Sequence, residues 1–289
     1  MFPAADTEAF GGDASSGAAA LSPAALTELR TVANELADAA RRAAAPHFRA
    51  DALTLENKAS QGFDPVTVAD RAIETEMRAI LAERRPRDGI VGEEFGVTPS
   101  ESGLTWVLDP IDGTRSFMAG IPLWGVLIAL FDGERPCLGV IDQPYLEERF
   151  IGVSTAEDRH AVLQRREGEK ALKTRSCTDL SQATLFTTTP ALFVAGAERA
   201  AYDAVEARAR LTRYGADCYA YAMVAAGQAD LVVEAGLASY DIQAPIALVE
   251  AAGGVATDWR GGPAHGGGRV IAAGDPRVHA QALEILADA

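Results

Sequence analysis

The segment Trp106-Val-Leu-Asp109-Pro110-Ile111-Asp112-Gly113-Thr114 closes an apolar run with two carboxylates three positions apart. A strand that ends in such a pair delivers acids to an exposed rim, an arrangement suited to holding hard divalent cations against a phosphate. Mg²⁺ takes oxygen ligands in a near-octahedral shell and keeps several waters, so a few convergent carboxylates are enough. Asp109 and Asp112 are two candidates. Pro110 lacks a backbone donor and is expected to stop the strand, while Gly113 permits a sharp turn that leaves the Ile111 carbonyl and the Thr114 hydroxyl facing the same ion or phosphate. An ordinary loop is the competing reading, because Asp-Pro and Asp-Gly pairs are common turn formers.

Three further acidic segments supply context. Asp64-Pro-Val-Thr67-Val-Ala-Asp70 opens a stretch whose Ile73, Met77, Ile80 and Leu81 recur at helical spacing, which puts Asp70 in the first turn of a helix. Gly92-Glu93-Glu94-Phe95-Gly96 follows the apolar pair Ile90-Val91, so Glu93 stands where a strand gives way to a glycine-bounded loop. Ser239-Tyr240-Asp241 precedes a helix through Ala247, Leu248 and Ala251, with Pro245 expected early enough in it to be tolerated. Each of these acids also has a structural reading, as a helix cap or a solvated loop residue.

In this order and spacing the set resembles the inositol monophosphatase superfamily of Mg²⁺-dependent phosphomonoesterases. The resemblance runs from about Lys58 to Trp259, through Asp-Pro-Val-Thr-x-x-Asp70, Gly-Glu93-Glu, Asp109-Pro-Ile-Asp112-Gly-Thr114, and Tyr-Asp241 followed by Glu250-Ala-Ala-Gly-Gly254. It implies metal ligation by Glu93, Asp109, the Ile111 carbonyl, Asp112 and Asp241, with Asp70 near a further metal position, two or three Mg²⁺ ions in all, and Lys58 as a nearby charge partner. It also implies direct attack of a metal-activated water on phosphorus, oriented by Glu93 and Thr114, with no phosphoenzyme. Asp112, Gly113, Thr114 and Asp241 would then face the phosphate ester. Homodimer formation is common in that family; nothing in this chain decides it.

Within the superfamily, Ala183-Thr-Leu-Phe-Thr187-Thr-Thr-Pro190-Ala-Leu-Phe193, Tyr214-Gly-Ala-Asp217-Cys-Tyr-Ala-Tyr221, Ala229-Asp-Leu-Val-Val-Glu234-Ala and Gly120-Ile-Pro-Leu-Trp-Gly-Val-Leu-Ile-Ala129 resemble the histidinol-phosphatase branch. Tyr240 stands where typical inositol monophosphatases carry Trp, and Ala244-Pro245 replaces their usual small-residue run. Histidinol phosphate carries a cationic amine and a partly protonated imidazole, which an anionic pocket favours over a neutral polyol. Asp217 and Glu234 are the candidates for that pocket. Asp217 has an equal second reading as the N-cap of a helix beginning near Cys218. Inositol phosphate, a sugar bisphosphate and an adenosine bisphosphate remain alternative substrates, and a non-catalytic relative would have lost a ligand or Thr114, which this chain retains.

Other phosphatase chemistries fit less well. Aspartyl phosphatases of the haloacid-dehalogenase type need acids two apart, the first a covalent nucleophile, whereas Asp109 and Asp112 are three apart with Pro110 between. His47, His160, His265 and His279 are scattered, with no zinc-ligand spacing. No Gly-x-x-x-x-Gly-Lys-Ser/Thr loop occurs, and Gly261-Gly262 and Gly266-Gly267-Gly268 read as loops.

The elements that must position these acids follow from patterning. With 289 residues, 48% of them hydrophobic, the chain can bury a substantial core. A net charge of -15 argues against nucleic acid and requires bound cations to invert the field wherever phosphate binds. Cys137, Cys177 and Cys218 are widely spaced, as in reduced thiols of a cytoplasmic protein, and receive no catalytic role. Residues 1–20, rich in Ala, Gly and Ser, lack the basic start and apolar centre of a secretory signal and read as a disordered tail. Ser22-Pro23 reads as the N-cap and first residue of an alanine-rich helix reaching toward Ala45.

The apolar stretch Ile121 to Phe131 is too short to span a bilayer and reads as a buried strand. Cys137 to Ile141, Arg149 to Val153 and Ala161 to Gln164 suggest an antiparallel meander. From Ala183 the pattern alternates: strand, helix over Glu198 to Ala209, strand near Leu211, helix over Cys218 to Ala226, strand Leu231 to Val233, helix, and strand Val255 to Thr257. The expectation is an α/β (α+β layered) fold, an αβαβα sandwich as the resemblance implies. Residues 21–184 would carry most metal ligands, and 185–289 would carry Asp241 and the substrate contacts, with the site between them.

Overall fold

A computed structural model describes residues 21–50, 55–57, 65–287 and 289. The expected tail and Lys58 lie outside the described residues. Helix α1 (Pro23–Ala44) starts where Ser22 accepts a hydrogen bond from the Ala25 amide at 3.2 Å, with Pro23 at a position whose missing N–H costs nothing. Its buried Leu26, Leu29, Val32, Ala33, Leu36, Ala37 and Ala40 form one apolar stripe. After the short pair β1 (Leu55–Asn57) and β2 (Pro65–Thr67), helix α2 (Val68–Arg84) buries Ile73, Met77 and Leu81 and packs on α1.

Both helices cover one face of a sheet of eight strands: β3 (Gly89–Gly92), β4 (Gly96–Thr98), β5 (Thr105–Asp112), β6 (Gly125–Phe131), β7 (Pro136–Gln143), β8 (Glu148–Ser154), β9 (Arg159–Arg165) and β10 (Gly168–Ala171). Their spatial order is β10-β9-β8-β7-β6-β5-β3-β4, antiparallel throughout except for the β3–β5 pair. The meander expected from Cys137 onward is therefore present. Helix α3 (Thr114–Met118) sits between β5 and β6.

The second sheet has order β12-β11-β13-β15-β14. It is built from β11 (Thr184–Thr187), β12 (Leu211–Tyr214), β13 (Leu231–Leu237), β14 (Val255–Asp258) and β15 (Gly268–Ala273). Helices α5 (Cys218–Ala225) and α6 (Ser239–Ala251) lie between the sheets, α6 crossing β5 to β9 on one side and touching β14 and β15 on the other. Helices α4 (Ala197–Glu206) and α7 (Pro276–Leu286) pack together on the outer face. The layers thus run helix, sheet, helix, sheet, helix. Three apolar clusters fill the gaps, one for each helical layer.

The outermost layer is fastened to the large sheet by a buried charge. The fully buried Asp142 on β7 accepts from Arg41 Nε at 2.7 Å, Arg41 Nη2 at 2.8 Å and Arg149 Nε at 2.7 Å. Arg149 in turn donates to Asn34 and Asp38 of α1. Among the described residues no helix is long and apolar enough to cross a membrane.

Three local expectations are corrected. Pro110 does not stop β5, which runs to Asp112; the pairing with β6 shifts register between Asp109 and Asp112, and a residue without an N–H is accommodated at such an irregularity. Pro245 lies in the interior of α6, where the layers on both sides hold the helix despite the missing N–H. The strand expected from Ile121 begins only at Gly125, and Ile121 itself is exposed.

Candidate active site

The β5 end is shaped by its own turn. Asp109 Oδ1 accepts the Ile111 amide at 3.0 Å, and Gly113 at φ 81° turns the chain into α3. That left-handed backbone, with Leu123 O only 2.9 Å from where a Cβ would stand, admits glycine alone without strain. Thr114 Oγ1 donates to the Ile111 carbonyl at 3.0 Å, which brings these two oxygens together at the turn.

Carboxylate oxygens of Asp109, Asp112 and Asp241 all lie within 4.8 Å of one another, and so do those of Asp70, Glu93 and Glu94. Glu93 joins the two groups, because its charge acts most strongly on Asp109 and the two side chains hydrogen-bond. These acids come from α2, the turn after β3, the end of β5 and the start of α6. Asp70 is buried in the first turn of α2. Asp241, in the first turn of α6, accepts the Ala238 amide at 2.7 Å; it is a capping residue and a cluster member at once.

Burial, then the charges of Glu93, Asp112 and Asp241, holds the Asp109 carboxyl well above the ordinary carboxylate range. Burial and the neighbouring Asp217 push Asp112 up to about 7, against the lowering effect of the Cys218 amide. Arg71 pairs with Glu94 at 3.7 Å, yet so many converging acids are the donor set of a hard-cation site: oxygen ligands, multiple charges, and pKa values that fall once a cation arrives. The residues present fit divalent metal.

Asp217 and Glu234 extend the acidic surface beyond Asp112, and their charges reach one another and Asp112. Asp217 occupies the N-cap position of α5, but its side chain makes no cap bond. Asp112 does that work instead, accepting the Cys218 amide at 2.6 Å. Asp217, held at φ 45°, takes a hydrogen bond from Ser116 Oγ at 3.4 Å, and Thr188 also bonds to it. Burial raises it to about 6. Glu234 on β13 is 2% exposed, accepts the Thr188 amide at 2.7 Å and is pushed by burial up to about 8.

Two acids escaped the sequence reading. Glu94 belongs to the Asp70 group, and its only signal was adjacency to Glu93. Glu74 is fully buried and accepts the amides of Glu94 at 2.7 Å and Phe95 at 3.2 Å, together with Arg78 Nε at 2.7 Å, thereby fixing the turn that carries Glu93. It stands four residues after Asp70 on the same helix face.

Residues 25–289 match the model of the inositol monophosphatase family. The chain is 42% identical over 277 residues to the bifunctional phosphatase IMPL2, chloroplastic, of Arabidopsis thaliana, covering 92% of this chain and 77% of that protein. It is 36% identical over 272 residues to a histidinol-phosphatase of Streptomyces coelicolor, covering 91% and 98%. The structure of an inositol monophosphatase from Zymomonas mobilis superposes with a TM-score of 0.78 at 40% identity, covering 91% and 98%. Layered fold, converging acids and matched sequence agree over nearly the whole chain: it belongs to the inositol monophosphatase family and is a phosphoric monoester hydrolase.

Proposed function

We propose that the protein is a Mg²⁺-dependent phosphatase of L-histidinol phosphate, releasing L-histidinol and phosphate. The observation that carries this reading is the second acidic pair, Asp217 and Glu234, beside Asp112. A cationic amine and an imidazole find compensating charge there; a neutral polyol brings none. The similarity to the Streptomyces coelicolor histidinol-phosphatase supports the same substrate. The matching Zymomonas mobilis structure, an inositol monophosphatase, supports inositol 1-phosphate as the second reading.

On this proposal Glu93, Asp109, the Ile111 carbonyl, Asp112 and Asp241 hold two Mg²⁺ ions, with Asp70 at a third position. Bound Mg²⁺ supplies an acidified water and offsets negative charge on the phosphoryl oxygens. The chain's own residues do the rest. Glu93 accepts one proton of the attacking water, and Thr114, whose hydroxyl hydrogen is committed to the Ile111 carbonyl, offers that water a lone pair. The N–H groups of Gly113 and Thr114, at the start of α3, donate to the phosphate. Asp217 and Glu234 hold the far end of the ester, placing phosphorus over the cluster.

Side-by-side turnover of histidinol phosphate and inositol 1-phosphate by wild type and Asp217→Asn tests the substrate. Loss of a charge-assisted contact is expected to lower kcat/KM for histidinol phosphate by roughly 10- to 100-fold, with a much smaller fall for inositol 1-phosphate. Equal losses would defeat the proposal.

A further inference from the structure

Behind the Asp217–Glu234 pair, two buried polar atoms have no hydrogen-bond partner among the described residues: the Tyr221 hydroxyl and Glu234 Oε2. The two residues are 4% and 2% exposed, so solvent does not serve them. Folded proteins pair nearly all such groups because an unpaired one is destabilising, so each exception calls for a reason. Phenylalanine would fill the same space without the unpaired hydroxyl.

Placement supplies the reason. Tyr221 follows Cys218 by three residues on α5 and shares its helix face, with Asp217 at the N-cap just before them. Glu234 alternates with Val233 along β13 and points, like Val232, to the central core that contains Tyr221. The charged neighbours felt by the phenol are Glu234 first, then Asp112, Asp241 and Cys218. The phenol therefore feels both the substrate-side acid and the metal-side acids. Glu234 Oε1 is tied to the Thr188 amide at 2.7 Å, which leaves the other oxygen as the one able to turn toward a ligand.

We propose that Tyr221 is a positioning residue for Glu234: when the amine end of a substrate draws on the untied oxygen, the Tyr221 hydroxyl donates to the carboxylate and holds its orientation. The idea rests on the reading that Glu234 meets the cationic end of the substrate. It predicts a hydroxyl that contributes nothing to the resting fold and acts only in the complex.

The test is Tyr221→Phe, alone and combined with Glu234→Gln, with Tm and steady-state kinetics on histidinol phosphate and inositol 1-phosphate. Expected are an unchanged or higher Tm, and a KM for histidinol phosphate raised by about tenfold to a hundredfold with kcat within about twofold, as for one lost hydrogen bond to a charged group. The rise on inositol 1-phosphate should be smaller, and the double variant should be no worse than Glu234→Gln alone. A lowered Tm with unchanged KM, or independent effects of the two substitutions, overturns the proposal. Wild-type turnover separates the two levels of inference: absence of histidinol phosphate hydrolysis defeats the substrate reading, whereas hydrolysis of that ester with independent effects of the two substitutions defeats the role of Tyr221 alone.

Discussion

Asp112 ends β5 with one oxygen on the Cys218 amide and a carboxylate within reach of Asp109 and Asp241. Asp112→Asn removes a charge from the proposed ion site while keeping an acceptor for the α5 amide. The expected result at saturating Mg²⁺ is a loss of at least about 100-fold in kcat/KM, the upper range for perturbing even the outer shell of a metal site, with little change in far-UV circular dichroism. Near-normal turnover would remove Asp112 from the proposed ligand set. The elevated acids also make a pH prediction. Without metal, burial holds Asp112 at about 7 and Glu234 at about 8. A carboxyl whose pKa is higher folded than unfolded stabilises fully below the unfolded value, and that contribution is lost as pH rises through the folded value. Chelator-treated protein should therefore lose Tm relative to the Mg²⁺-loaded form from about pH 4 to about pH 8, and the Tm gain on adding Mg²⁺ should widen across that window. Scanning calorimetry at paired pH values checks the sign; a gain that shrinks with pH contradicts it.

At the scale of elements, the turn after β3 depends on a side chain from another helix. A Cβ on Gly92 would stand 2.0 Å from Glu74 Oε1, so Gly92→Ala must displace the carboxylate that holds the Glu94 and Phe95 amides. Overpacking of this kind costs about 1–3 kcal/mol, readable by urea denaturation, and the Mg²⁺ concentration for half-maximal activity should rise as Glu93 and Glu94 lose their setting. An unshifted metal titration would show that the turn is held by something else. Elements of this sort also mark how far a sequence can be read. Asp70, Asp109, Asp112 and Asp241 were legible because Pro, Gly and helical periodicity around them announce strand ends and helix starts. The alternation after Ala183 was legible for the same reason. Glu74 was not: the amides it holds, those of Glu94 and Phe95, are 20 and 21 residues away, and nothing local distinguishes a buried carboxylate from a solvated one on a helix. Nor was the capping of α5 by Asp112 across 106 residues, since Asp217 offered the local and more obvious cap. Pro110 and Pro245 misled because packing on both sides tolerates backbone defects that an isolated strand or helix does not.

Across the whole molecule, Asp142 joins the outer helical layer to the large sheet through Arg41 and Arg149. Asp142→Ala would leave the nearly buried Arg149 without its main counter-charge, a change expected to cost about 3–5 kcal/mol in chemical denaturation. Mg²⁺ affinity of the folded fraction should be spared, because the contributing acids lie elsewhere; a parallel loss of affinity would mean that α1 also shapes the metal site. Layering has a further effect on the order in which the chain becomes competent. Helix α6, which carries Asp241, is wedged between sheets whose strands bracket it in sequence, with β14 and β15 still to come when it is made. A nascent polypeptide released by premature termination before Asp241 would display the other acids yet lack the residue that completes the Asp109 cluster. Such fragments are expected to be silent toward cellular phosphate esters, so hydrolysis begins only after the chain has been made through Asp241 and the strands that enclose its helix.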